Sequence, residues 1–185
     1  MITSRQNQKV KDVVKLHSKK HRYIRGAFLV EGKKLYDEAL KAGFELEELY
    51  SLHPLEGAQV VSESVLSAMA TTVTPQDIIA IFKQKIKTTD NIDKCIILDN
   101  IQDPGNMGSI IRSALGAGFY TIIAVNCVDK YDPKVIRSSM GAVLHTNVIE
   151  CDFKECMELV EQANLKMAIC SMEGQSIFEA MIRML

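Results

Sequence analysis

The stretch Asp103-Pro104-Gly105-Asn106-Met107-Gly108-Ser109-Ile110-Ile111-Arg112 holds the residues most able to do chemistry. On a helix, Gly108, Arg112 and Gly116 recur at i, i+4 and i+8 on one face, so the arginine is flanked by residues without side chains. A bare strip of that kind has room for a bulky anion, and a guanidinium fork matches phosphate geometry. The same spacing also suits a helix whose glycines allow close packing and whose arginine forms a surface ion pair. Both readings are open at this point. A second feature is charge. Residues 1–34 hold ten Lys/Arg and two acids, a net +8, while the remainder carries −9 within an overall −1. Lys15, Lys19, Lys20, Arg22 and Arg25 make up its densest part. Positive charge concentrated on an otherwise acidic chain suits a polyanion such as a nucleic acid, because phosphate contacts and released counterions supply binding energy. A solvated, solubilising helix face is the alternative.

The elements that must position these residues follow from periodicity. Val10, Val13, Val14 and His17 predict one amphipathic helix near residues 5–20. Strands are expected at 28–30, 49–52, 59–61 and 78–82, with helices after Gly32 and after Ser62. The polar segment 83–91 reads as linker. Beyond it, apolar strands at 95–98, 121–125, 147–149 and 166–170 alternate with helices, which predicts a parallel sheet covered on both faces. Asp103-Pro104-Gly105 turns the chain from the first of these strands into a helix, with Asn106 expected near its N-cap. The carboxyl ends of parallel strands are where open α/β folds form ligand crevices. The expected organisation is therefore a first α/β domain at 1–84, a linker at 85–94 and a second domain at 95–185.

Composition removes several classes. With 185 residues, 47% hydrophobic and 24% charged, the chain can bury a proper core and is not disordered in composition. It has no apolar run long enough to cross a bilayer, and its first residues lack a secretory signal. Five scattered cysteines with no C-x-x-C read as reduced thiols in a cytoplasmic protein without a metal site. Neither G-x-G-x-x-G nor a P-loop occurs, which argues against a nucleotide-binding oxidoreductase or an NTPase.

Residues 99–119, with Asn106 and Arg112 six apart, closely resemble motif 1 of the SpoU (TrmH-type) RNA 2′-O-ribose methyltransferases of the SPOUT class. Arg137-Ser138-Ser139-Met140-Gly141-Ala142 resembles the R-x-S-x-G-A stretch that follows in that family. Phe28-Leu29-Val30-Glu31-Gly32 and Thr74-Pro75-Gln76 resemble its N-terminal substrate-binding domain, with Asp77 where a glycine is usual. The resemblance implies an α/β chain, with a small substrate-binding domain ahead of a parallel-sheet SPOUT (α/β knot) domain. It also implies a homodimer that uses S-adenosylmethionine to methylate a ribose hydroxyl of ribosomal or transfer RNA. In the family, Arg112 would activate that hydroxyl and Asn106 would help position it. A guanidinium with pKa above about 12 is a poor base, so Arg112 is expected to bind phosphate and stabilise the developing alkoxide.

The two later motifs of the family, a G-x-E-G-x-G-like loop and a Ser-Leu-Asn segment, do not occur. Met172-Glu173-Gly174 directly follows the fourth expected strand and stands too early to be the glutamate loop. On this reading the second domain is incomplete, no cofactor-binding residue lies within the chain, and the chain as given neither holds S-adenosylmethionine nor transfers methyl. The rival is a non-catalytic RNA-binding module.

Overall fold

A computed structural model describes residues 1–85, 88–89, 92–170 and 173–174. The first unit is a four-stranded sheet in the order β1-β4-β2-β3, built from β1 (Ala27–Glu31), β2 (Leu46–Ser51), β3 (Gln59–Val60) and β4 (Ile78–Lys83). β4 runs antiparallel to both β1 and β2, and β2 runs parallel to β3. β1 and β4 are buried along nearly their whole length because both faces of the sheet are covered there. On one face Leu29, Ile79 and Ile81 meet Val10, Val13 and Leu16 of α1 (Gln8–Lys15) and Val65, Leu66 and Met69 of α4 (Glu63–Met69). Ser62 caps α4 as expected, its hydroxyl accepting the Val65 N–H.

The helix expected over 5–20 is instead two. α1 ends at Lys15, and α2 (Lys19–Arg25) turns away until Gly26, in the left-handed region at φ 64°, stops it. The break is held by Arg22, whose guanidinium donates to the Leu16 and His17 carbonyls, both at 2.9 Å. Hydrophobic spacing does not reveal a side chain that returns to satisfy the carbonyls at a helix end.

The second unit is a parallel sheet in the order β5-β6-β7, formed by Cys95–Asp99, Thr121–Val125 and Asn147–Cys151. α5 (Pro104–Gly116) and α6 (Pro133–Ser138) cover one face. On the other face, α7 (Phe153–Gln162) brings Cys156 against Ile123 and Val125. The fourth expected strand does not form. Residues 166–170 are exposed and pair with no strand among the described residues, leaving Ile169 80% exposed. An apolar segment gains strand geometry only from a partner ladder and a face to bury, and none of the described elements offers it one. Met172 of the Met172-Glu173-Gly174 stretch lies outside the described residues.

The two units share one core. Phe28, Phe44 and Phe82 of the first pack with Met107, Ile111, Ile122 and Tyr131 of the second. Tyr131 stacks on Phe28 with ring centroids 4.5 Å apart, its hydroxyl accepts the Lys85 N–H at 3.2 Å, and burial pushes that hydroxyl up to about 12. α3 (Lys33–Lys41) adds Glu38, which faces His145 across the junction at 2.9 Å.

Candidate functional site at the junction of the two units

α5 begins just beyond the carboxyl end of β5, where the motif residues stand. Its cap is Asp103, not Asn106. The Asp103 carboxylate accepts the Asn106 N–H at 2.7 Å, and Pro104 fills the first helical position, where no N–H is needed. Asn106 sits in the first turn with an exposed side chain. Relieved of capping, its amide is available to a ligand.

The glycine strip divides in two. A Cβ on Gly108 would lie 2.0 Å from Ser138 Oγ and 2.7 Å from the Ser139 backbone nitrogen, so this glycine exists for close packing of α5 on α6. Ser138 fastens the same contact by donating to the Pro104 carbonyl at 2.9 Å. Around Gly116 the space is open. Arg112, between them, is exposed and has no carboxylate partner among the described residues. Among the described residues its Nη1 meets the Met140 thioether at 3.1 Å. The packing reading therefore holds for Gly108, whereas the ion-pair reading fails for Arg112. Positions six apart on a helix differ by about 120° in direction and about 9 Å along the axis. Asn106 and Arg112 thus share an element without touching each other.

The basic cluster separates in the same way. Arg22 is 1% exposed, with Nε 2.7 Å from Asp129 Oδ2 and a longer 3.5 Å approach to Asp132, so it is withdrawn from any RNA surface. A buried guanidinium needs this full set of partners to offset its lost hydration. Arg25 is half-buried between Glu47, at 3.0 Å, and Glu48, which leaves little charge for a phosphate. Lys15 is held by Asp12 at 2.8 Å but remains on the surface. Lys19 and Lys20 are exposed.

A group whose members no spacing in the sequence had joined ties the units together beside Arg112. Glu31, the last residue of β1, is buried and accepts hydrogen bonds from the Thr71 N–H at 2.7 Å, the Thr71 hydroxyl, and the Thr72 hydroxyl at 2.6 Å. Arg137, from the end of α6, reaches across to Thr71 Oγ1 at 2.7 Å and lies 3.5 Å from the Glu31 carboxylate. Gly141 takes φ 86° and lets the following turn approach Leu35 on α3. Gly32, at φ 88°, sits against the Gln76 side chain. A carboxylate closing a buried apolar strand was the available signal, since such a group is almost never left without partners. The two Thr hydroxyls and Arg137 could not be matched to it from spacing alone.

These are the same segments that resembled the family, now seen as one place. Residues 93–184 match the SpoU rRNA Methylase family, and residues 7–80 match the MRM3-like substrate binding domain. The 23S rRNA (guanosine(2553)-2′-O)-methyltransferase RlmP of Bacillus subtilis is 32% identical over 175 residues, covering 89% of this chain and 71% of that protein. The chain belongs to the SpoU rRNA methylase family. Among solved structures, an RNA 2′-O ribose methyltransferase superposes with a TM-score of 0.80 at 28% identity, covering 96% of this chain and 75% of that one. The AdoMet-bound rRNA methyltransferase of Sinorhizobium meliloti gives 0.78 at 30% identity, with 88% and 68% covered. This SpoU chain thus has the fold expected of it, a mixed α/β unit ahead of a parallel sheet. No helix among the described residues is long and apolar enough to cross a membrane.

Proposed function

We propose that this SpoU chain methylates a ribose 2′-hydroxyl of ribosomal RNA, with residues 1–84 binding the RNA and Arg112 receiving the reacting nucleotide. The observation that carries the reading is the state of Arg112, which is exposed, has no carboxylate partner among the described residues, and stands beside the crevice where both units meet. A guanidinium kept charged at any working pH cannot take the hydroxyl proton. Its role is to grip the adjoining phosphate and lower the energy of the alkoxide as it forms. Asn106, with its amide free, orients the ribose from the first turn of α5. Lys19 and Lys20, with Lys15 in support, hold the RNA backbone on the outer face of the first unit. They position it without reading sequence. We place the chain in the cytoplasm, where its five thiols stay reduced, and in the homodimer its family resemblance implies.

S-adenosylmethionine, the ligand of the Sinorhizobium protein, is the methyl donor in this reading and supplies an electrophilic sulfonium methyl when bound. At the carboxyl edge of the sheet the Gln102 amide donates to Asn100 Oδ1 at 3.0 Å and to the Asn126 carbonyl, bridging the ends of β5 and β6.

The test is transfer of tritiated methyl to ribosomal RNA, scored as alkali-resistant dinucleotide, for the chain and its Arg112→Ala form. Alkali-stable label that disappears in the variant is expected. Undiminished transfer by Arg112→Ala would overturn the assignment of Arg112. RNA binding with no transfer by the unaltered chain would favour the non-catalytic module.

A further inference from the structure

A crevice of about 240 Å³ opens between the units, walled by Lys34, Leu35, Thr74 and Gln76 on one side and by Arg137 and Met140 on the other. From its position and chemistry we infer that this crevice receives a single unstacked RNA base and reads its edge, making Gln76 and Thr74 specificity-determining residues. The inference rests on the RNA methyltransferase reading and deepens it.

Four observations support it. The volume lies below the roughly 300–1,000 Å³ of sites for drug-sized ligands, and so suits one planar ring system. Two of the three charged groups in the wall, Glu31 and Arg137, are matched to each other, and the third, Lys34, is exposed at the rim. Glu31 is saturated by Thr71, Thr72 and Arg137, so no strong anion site remains inside. The Gln76 amide and the Thr74 hydroxyl have no hydrogen-bond partner among the described residues, and together they offer donor and acceptor to a base edge. Leu35 and Met140 supply apolar surface for the ring. Met140 is also held at φ 54°, in the left-handed region, where a side chain with a Cβ is uncommon. Strain of this kind persists where the surroundings enforce it, and it gathers at functional sites. Here it places one thioether both on the crevice wall and against the Arg112 guanidinium. A nucleotide gripped by Arg112 therefore has its base, or that of its neighbour, at the mouth of the crevice. Sequence-specific RNA recognition takes this form, with single-stranded bases splayed out and bonded along their edges. Lys34, exposed at the rim, meets the next phosphate.

The test uses the 185-residue chain with short single-stranded oligoribonucleotides that differ at one position, read by fluorescence anisotropy. The same RNAs carrying one 4-thiouridine are photo-cross-linked and mapped by mass spectrometry. The unaltered chain is expected to separate best from worst base by about tenfold. Thr74→Val and Gln76→Ala should each shrink that ratio to about twofold or less, leaving the average affinity within about threefold. The cross-link is expected within residues 72–76 or at Met140. Gln76 leans on Gly32, so its variant could disturb that turn; Thr74 lies on an exposed loop and keeps the test secure if it does. An unaltered ratio in Thr74→Val, the absence of any base preference, or cross-links confined to other surfaces would overturn the inference. Failure of the unaltered chain to bind any RNA at low salt would instead strike the functional reading beneath it.

Discussion

Arg22 and Arg112 are the same side chain in opposite situations. Arg22 lies in the densest positive stretch of the sequence, yet it is buried and bonded to two carbonyls and an aspartate, with a second aspartate close by. Arg112 stands on a helix with no other Lys or Arg and is exposed, touching only a thioether. Local charge density therefore misleads about which arginine is available to RNA. What decides it is whether folding has already supplied partners. Buried guanidinium groups are consumed by structure, whereas an exposed one without a partner retains its charge for a ligand.

The largest expected effect breaks the Arg22 side of this comparison. Arg22→Ala leaves Asp129 buried without its cation and uncaps the end of α1, and it should cost about 3–5 kcal/mol in denaturant unfolding. Arg112→Ala should change the same measurement by no more than about 0.5 kcal/mol. Equal losses in the two variants would dissolve the contrast. Next in size is Gly108→Ala. Its new methyl would collide with the Ser139 backbone as well as the movable Ser138 hydroxyl, and overpacking of this kind costs about 1–3 kcal/mol. Gly116→Ala, facing open space, should be neutral or slightly stabilising, since alanine is the better helix former by up to about 1 kcal/mol.

The smallest effect concerns acid. Lys41 first, then His145, hold the Glu38 carboxyl below its usual value. A carboxylate with a lowered folded pKa adds stability that is present above its unfolded value of 4.5 and is lost as pH falls through the lower folded one. Unfolding followed from pH 6 to pH 3 should therefore show a shallower decline in Glu38→Gln than in the unaltered chain. Identical pH profiles would remove Glu38 from the junction's electrostatics.

Much of the fold was legible in the sequence. The continuous apolar runs 78–82 and 121–125 could only be strands covered on both faces, and Ser62 announced the cap of α4. The split between α1 and α2 was not legible, because it depends on Arg22 returning to carbonyls five and six residues back while pairing with Asp129, more than a hundred residues away. The failed strand at 166–170 has the reverse cause, since local apolar character cannot supply a partner. At the candidate site, the spacing of Arg112 from the glycines left a phosphate contact and a surface ion pair both open, because the sequence does not show whether a carboxylate from another segment reaches it. The Glu31–Thr71–Arg137 junction was not legible, because its members come from three segments far apart in the sequence and no spacing matches them to one another.

The most direct measurement of the central claim is the salt dependence of single-stranded RNA affinity for the unaltered chain and Arg112→Ala. If Arg112 grips a phosphate, the variant should bind all RNAs about five- to tenfold more weakly at low salt, and the slope of log K against log salt should flatten by about 0.7. Superimposable lines for the two proteins would contradict it and leave Arg112 a surface arginine without a task.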